Sequence, residues 1–177
     1  MKDKVIVRRV APGEAGALVE DLADVLIDCV EGGASVSFLL PISRATALAF
    51  WRGVAEGVAR GERALLVAQD EEEDGRVLGT VQLILALPQN QPHRADVAKM
   101  LVRRAARRRG IGQRLLAALD DAARAEGRSV LVLDTVSGGD AERLYERAGW
   151  QRVGMVPRYA LMPDGAFCAT TFFYKHL

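Results

Sequence analysis

The chain has 177 residues, half of them apolar and 27% charged. That is the balance of one soluble globular domain, 1–177, with a single core and no second module. Twenty-four Lys and Arg against 23 Asp and Glu leave a net charge of +1, which excludes a protein held to nucleic acid by overall charge.

Cys29 and Cys168 lie far apart, with no C-x-x-C and no metal-ligand spacing, so neither a zinc site nor a disulfide framework is expected. The two histidines, His93 and His176, are too few for a three-histidine metal site. The first ten residues, Met1 to Val10, contain no hydrophobic signal core. The longest apolar runs, such as Ala64–Ala68 and Leu83–Leu87, are strand-sized and far short of the ~20 residues of a membrane helix. The expected setting is the cytoplasm, with no membrane partner.

In chain order, Val5–Val10 reads as a strand ended by Pro12-Gly13. Glu14–Val30 reads as a helix, with Leu18, Leu22, Val25, Leu26 and Cys29 on one face. Gly32-Gly33 breaks it, and Ala34–Pro41 is irregular. Ser43 suits the N-cap of a second helix to about Arg60, with Ala47, Phe50, Trp51 and Val54 as its apolar face. Ala64–Gln69 and Val77–Leu87 read as strands around the acidic turn Asp70–Asp74 and Gly75. After the Pro88–Pro92 loop, Asp96–Arg103 is the next strand.

Gly110–Glu126 is the clearest helix, with Ile111, Leu115, Ala118, Leu119 and Ala122 on one face and Gly127 as its stop. Ser129–Thr135 reads as a buried strand. Gly138-Gly139 makes a turn, and Asp140 is placed to cap a helix reaching Ala148, ended by Gly149. Gln151–Val156 and Ala169–Lys175 are the last strands, and the segment between them, with Pro157, Pro163, Asp164 and Gly165, reads as a loop. Strands interleaved with helices give a mixed α/β layer structure.

The strongest chemical signal is the run from Arg103 to Gly112, which carries five arginines and two glycines between an apolar strand and an amphipathic helix. A helix N-terminus offers unpaired N–H groups and a positive dipole end, and glycine admits a ligand close to the backbone. Such a turn is a cradle for phosphate or pyrophosphate. It is not a nucleotide P-loop, because Gln113-Arg114 stands where Lys-Ser or Lys-Thr would be needed. It is not the dinucleotide fingerprint either, because Leu115 takes the third glycine position. A nucleic-acid patch stays open as a rival, although no aromatics interleave the arginines. A solvated basic turn is the plain alternative.

Arg107-x-x-Gly110-x-Gly112 between strand and helix, followed at a distance by Leu144-Tyr145-Glu146-Arg147-Ala148-Gly149-Trp150, resembles the two signatures of the GNAT superfamily of N-acetyltransferases. The resemblance implies the family's fold: a twisted, mixed but mostly antiparallel sheet of about seven strands, flanked by about four helices. Gly32–Val36, His93–Met100, Leu133-Asp134-Thr135 and Pro163-Asp164-Gly165 look most like the tabtoxin-resistance acetyltransferases. What this implies is transfer of an acetyl group from acetyl-CoA, without a metal, to the amine of a small molecule. An amino-acid-like toxin or antibiotic is one such acceptor. A protein or peptide N-acetyltransferase and a non-catalytic CoA-binding sensor are the alternatives. The oligomeric state, monomer or homodimer, stays open.

By the same resemblance, the backbone of Met100, Leu101 and Val102 pairs with the pantetheine arm. Arg107, Arg108, Arg109, Gly110, Ile111 and Gly112 hold the pyrophosphate. Tyr145 takes the place of the general acid that protonates the departing thiolate, with packing as its plain alternative. Asp134 and Asp96 are the candidate bases. Asp134 ends the Val130–Val132 face, read as buried, and a turn cap is its alternative role. Asp96 alternates with Ala98, Met100 and Val102 and so shares their face, or else is an exposed strand start. Gly33 and Ser35, in the Gly32–Phe38 segment, either shape the acceptor pocket or belong to a buried connection. Gly138 replaces an Asn with which many family members contact the CoA arm, and its backbone is the remaining candidate for that contact. Trp51 and Trp150 read as core, and His93 is given no role.

Overall fold

The computed structural model describes residues 4–72 and 74–177. Met1–Asp3, part of the opening read for a signal core, and Glu73 of the acidic turn lie outside the described residues. Strands β1 (Val5–Arg9), β2 (Arg63–Asp70), β3 (Val77–Ile84), β4 (Arg94–Val102), β5 (Val130–Val136), β6 (Gln151–Leu161) and β7 (Phe167–His176) form one sheet in the order β1-β2-β3-β4-β5-β7-β6. Every pair is antiparallel except β4 with β5. The helices are α1 (Val19–Glu31), α2 (Arg44–Ala59), α3 (Ile111–Ala125) and α4 (Asp140–Arg147). The expected mixed α/β fold is therefore present.

The sheet is covered on both faces over its first half. Leu65, Val67, Val77 and Leu101 pack with α1 and α2, including the fully buried Trp51. Leu66, Ala68, Val81 and Leu83 pack on the other face with Ile111, Leu115, Leu116 and Leu119 of α3. This is why β2 reads as a continuous apolar run rather than an alternation. Gly79 marks the tightest crossing: a Cβ there would lie 2.9 Å from the Leu101 carbonyl oxygen and 3.2 Å from Leu115 Cδ1. Gly79→Ala is expected to destabilise the fold by about 1–3 kcal/mol, the range for overpacking a filled core, read as a lowered urea midpoint at constant slope.

Local signals place most boundaries well. The Ser43 hydroxyl oxygen accepts from the Thr46 amide at 3.0 Å, capping α2 as expected. Four expectations need correction. Glu14–Val30 is not one helix: a 3-10 turn, Ala15–Leu18, precedes α1. Asp140 does not cap α4. Gly139 holds the N-cap position, Asp140 pairs with Arg143, and Glu142 reaches back to accept from the Gly138 amide at 3.0 Å.

The proline-containing segment after Val156 is not all loop, because β6 continues through Pro157 to Leu161. Proline is tolerated there because β6 is the sheet's edge and its register slips between Val156 and Ala160, where Arg158 takes a positive φ of 51°. Finally, on β5 it is Leu131 and Leu133 that are buried, against the α3 side. The Val130, Val132, Asp134 face is only partly covered, with Asp134 exposed.

Candidate active site

Two irregularities in β4 build the site. The first is a β-bulge: Ala98 pairs with Gln82 but Leu101 pairs with Thr80, so β4 carries one residue more than β3 over this stretch. Lys99 sits in it with φ 53°. The extra residue reverses which side chains face which way. Ala95 and Val97 face the α3 side, and past the bulge Met100 and Val102 face that same side while Leu101 turns to the α1–α2 side. The expected shared face of Asp96, Ala98, Met100 and Val102 is therefore broken, because strict alternation does not survive a bulge.

The second irregularity is a parting of strands. β4 and β5 pair only at Arg94–Val130, Ala95–Leu131 and Asp96–Val132. Beyond that point they separate, leaving β4 from Val97 to Val102 without a ladder on its β5 side. A cavity of about 860 Å³ occupies the gap. Its wall includes Met100, Val102, Leu144 and Tyr145 from the α3 side of the sheet. From elsewhere come Ser37, Phe38, Lys99, Asp134, Tyr159 and Cys168. The cavity thus joins the two faces through the sheet.

Tyr145 projects from α4, held by edge contacts to Trp150 at 5.8 Å and a tilted contact to Phe173 at 6.0 Å between ring centroids. It is 5% exposed, so the packing role and the site role coincide in one side chain. Among the described residues its hydroxyl has no hydrogen-bond partner. Burial, with the Asp134 carboxylate adding to it, pushes the phenol well above the ordinary tyrosine range.

Asp134 lines the cavity, and its Oδ2 accepts from the Thr170 hydroxyl at 2.7 Å. Thr170 is 4% exposed, also faces the Thr135 carbonyl at 3.0 Å, and comes from β7. Nothing local in the sequence marks it. Asp96 is different. It lies outside the cavity wall, at the last paired position before the strands part, and its carboxylate is taken by Arg94.

The Gly32–Phe38 segment is not a buried connection; Gly33 and Ser35 line the cavity. The segment is tied to the β6–β7 hairpin, through Ser35 Oγ donating to the Leu161 carbonyl at 2.9 Å and the Leu40 amide to the Pro163 carbonyl at 2.9 Å.

Between β4 and α3, Arg103 and Arg104 do structural work. Buried Arg103 donates to the Val77 carbonyl at 2.7 Å. Arg104 clamps the turn to α1, its amide and Nε donating to the two Asp28 oxygens at 2.7 and 2.9 Å. Arg107 lines the cavity and donates to the Val102 carbonyl at 3.2 Å, while Arg108 and Arg109 are exposed. Gly110 has φ 74°, a left-handed conformation that glycine adopts without strain, just ahead of α3. Gly112 permits close approach to α4: a Cβ there would lie 3.0 Å from Leu144 Cδ2. Of the turn expected to cradle pyrophosphate, Arg107 lines the cavity, whereas Arg108, Arg109, Gly110, Ile111 and Gly112 lie outside its wall, with Ile111 buried in the core beneath α3. The Gly138 amide donates to Glu142 at 3.0 Å, which leaves its carbonyl as the backbone group open to a substitute contact.

Among the described residues no group of three or more His, Cys, Asp or Glu is placed to hold a metal ion, and no helix is long and apolar enough to cross a membrane. Both cysteines are free; burial pushes the Cys29 thiol up.

The model of the Acetyltransferase (GNAT) family matches residues 37–150. An uncharacterised N-acetyltransferase of the hisH-hisA intergenic region of Azospirillum brasilense is 33% identical over 132 residues, 73% of this chain and 74% of that protein. The crystal structure of ribosomal-protein-alanine N-acetyltransferase from Brucella melitensis superposes with TM-score 0.75 at 25% identity, covering 97% of this chain and 99% of that one. yncA from Salmonella typhimurium, solved with its cofactor acetyl-CoA, superposes with TM-score 0.75 at 20% identity, covering 98% of this chain and 94% of that one.

Proposed function

Because this chain belongs to the GNAT acetyltransferase family, we propose that it transfers the acetyl group of acetyl-CoA to the amine of a small molecule, by direct attack with both substrates bound. The observation that carries this reading is that Asp134 and Tyr145 line one cavity, at the point where β4 and β5 part.

The residues present suit acetyl-CoA. The β4 edge at Met100, Leu101 and Val102 has no ladder on its β5 side and is open to an amide-bearing arm, although the Val102 carbonyl already accepts from Arg107, and the turn Arg107–Gly112 opens a helix N-terminus with arginines beside it. Acetyl-CoA supplies a thioester, an electrophilic acetyl carbon with a thiolate leaving group. Asp134 takes the proton that an ammonium must lose before its nitrogen can attack. Thr170, donating to one Asp134 oxygen, fixes the orientation of the carboxylate. The Tyr145 hydroxyl gives its proton to the departing sulfur; its burial favours that neutral, donating form. No covalent acyl-enzyme is invoked. Cys168 reaches the cavity wall, but its hydrogen-bond neighbour is the Ser35 hydroxyl at 3.8 Å and not a base.

The resemblance of Gly32–Val36, His93–Met100, Leu133–Thr135 and Pro163–Gly165 to tabtoxin-resistance enzymes supports an amino-acid-like toxin or antibiotic as acceptor, in the cytoplasm. The Brucella relative acts on a ribosomal-protein alanine, which favours a peptide N-terminus as the second reading.

Calorimetric titration with acetyl-CoA, CoA and ATP, followed by a panel of small amines and alanine-terminated peptides, tests both readings. Dissociation constants on the order of micromolar for acetyl-CoA and CoA, much weaker ATP binding, and acetylation of small amines are expected. Acetylation of the peptides alone moves the assignment to the second reading. Binding without turnover on any amine leaves a CoA-binding sensor.

A further inference from the structure

Two charged groups of the cavity wall have no part in the mechanism above, Asp140 and Lys99; Asp140 is paired with Arg143, and among the described residues Lys99 has no such partner. The bulge turns it out of the regular strand, in a left-handed conformation (φ 53°) that a lysine adopts only where its surroundings hold it. Its Nζ donates to the Ser37 hydroxyl at 3.0 Å and stands 5.4 Å from the centre of the Phe50 ring. The hydroxyl and the ring face replace part of the hydration the ammonium has lost. Neither supplies a full counter-charge. Among the described residues no carboxylate lies within ion-pair distance of Lys99. Burial and the Arg63 guanidinium hold the ammonium below the ordinary lysine range, with Asp134 opposing them.

Asp134 is the cavity carboxylate not already paired with an arginine, Asp140 being held by Arg143, yet Asp134 and Lys99 stand apart on the wall rather than neutralising each other. A cavity with a separated cation and anion is complementary to an acceptor with the reverse pair. The ammonium of such an acceptor faces Asp134, and an anion on the same molecule faces Lys99, supplying the counter-charge the protein does not.

We propose that the acceptor is an amine carrying a carboxylate, with Lys99 as the residue that reads the carboxylate and Ser37 as the hydroxyl that aims Lys99. This rests on the small-amine acetyltransferase reading above. A hydrogen-bonded charge pair that is lost on substitution is worth about tenfold to a hundredfold in affinity.

The test measures kcat and KM on three matched acceptor sets: L-α-amino acids, their carboxamides, and the corresponding amines lacking the carboxyl group. The wild-type protein is compared with Lys99→Met and Lys99→Arg, and acetyl-CoA affinity is measured for each variant to report a folded site. For the wild type, kcat/KM is expected to favour the acid over its carboxamide by about tenfold or more. In Lys99→Met that preference should collapse through a raised KM for the acid. Lys99→Arg, which keeps the charge, should retain most of it.

Equal use of acid and carboxamide by the wild type overturns the proposal while leaving the acetyltransferase reading intact. So does a Lys99→Met variant whose kcat falls equally on both acceptor sets, which would mark Lys99 as a proton acceptor instead. Acetyl-CoA binding with no amine acetylated removes the small-amine reading itself, and this proposal with it.

Discussion

Tyr145→Phe is expected to lower kcat by about 10²–10⁴-fold, the usual contribution of a positioned proton donor, while acetyl-CoA affinity stays near the wild-type value. The substitution removes one oxygen and keeps the ring, so the contacts with Trp150 and Phe173 that hold α4 against the core survive. A packing role alone therefore predicts little change, and an unchanged kcat would leave Tyr145 as a core residue. The pH profile adds a second reading of the same group. An ordinary tyrosine loses its proton near pH 10. Burial raises the Tyr145 pKa, so its proton is lost only at higher pH than that. No alkaline loss of kcat below about pH 10 should disappear in the phenylalanine variant.

Asp134→Asn is expected to lower kcat/KM by about 10²–10³-fold, with the loss smallest at high pH, where the acceptor amine is already neutral and needs no base. Asparagine still accepts from the Thr170 hydroxyl, which occupies one carboxylate oxygen at 2.7 Å, so the variant removes the proton acceptor and keeps the geometry. Asp96→Asn is the informative companion. Its carboxylate is committed to Arg94 outside the cavity wall, so its effect on kcat/KM should stay within about threefold. A larger loss from Asp96→Asn than from Asp134→Asn would reverse the assignment of the base. Thr170→Val should fall between the two, raising KM and lowering kcat by less than Asp134→Asn does, because it loosens the carboxylate without removing it.

What the residues announced on their own was local. Ser43 names the start of α2, Gly127 the end of α3, and Gly149 the end of α4, because caps and left-handed glycines act within a turn or two of chain. Arg107-x-x-Gly110-x-Gly112 and Leu144–Trp150 were readable as motifs for the same reason, and Gly112 against Leu144 shows that the two meet in space. The register of the sheet was not local. The bulge at Lys99 depends on how β4 lies against β3, and it reverses the faces that simple alternation assigns to Met100, Leu101 and Val102. The parting of β4 from β5 after Asp96 depends on both strands, and it separates a cavity carboxylate, Asp134, from one outside, Asp96, that look alike in the chain. Thr170 reaches Asp134 across 36 residues of sequence. Period and capping carry no information over such distances. The polypeptide's own pattern thus determined which elements exist and which motif opens α3, whereas cross-strand pairing decided which acid, which lysine and which tyrosine line one cavity, because hydrogen-bond register between strands is settled only when the whole sheet packs.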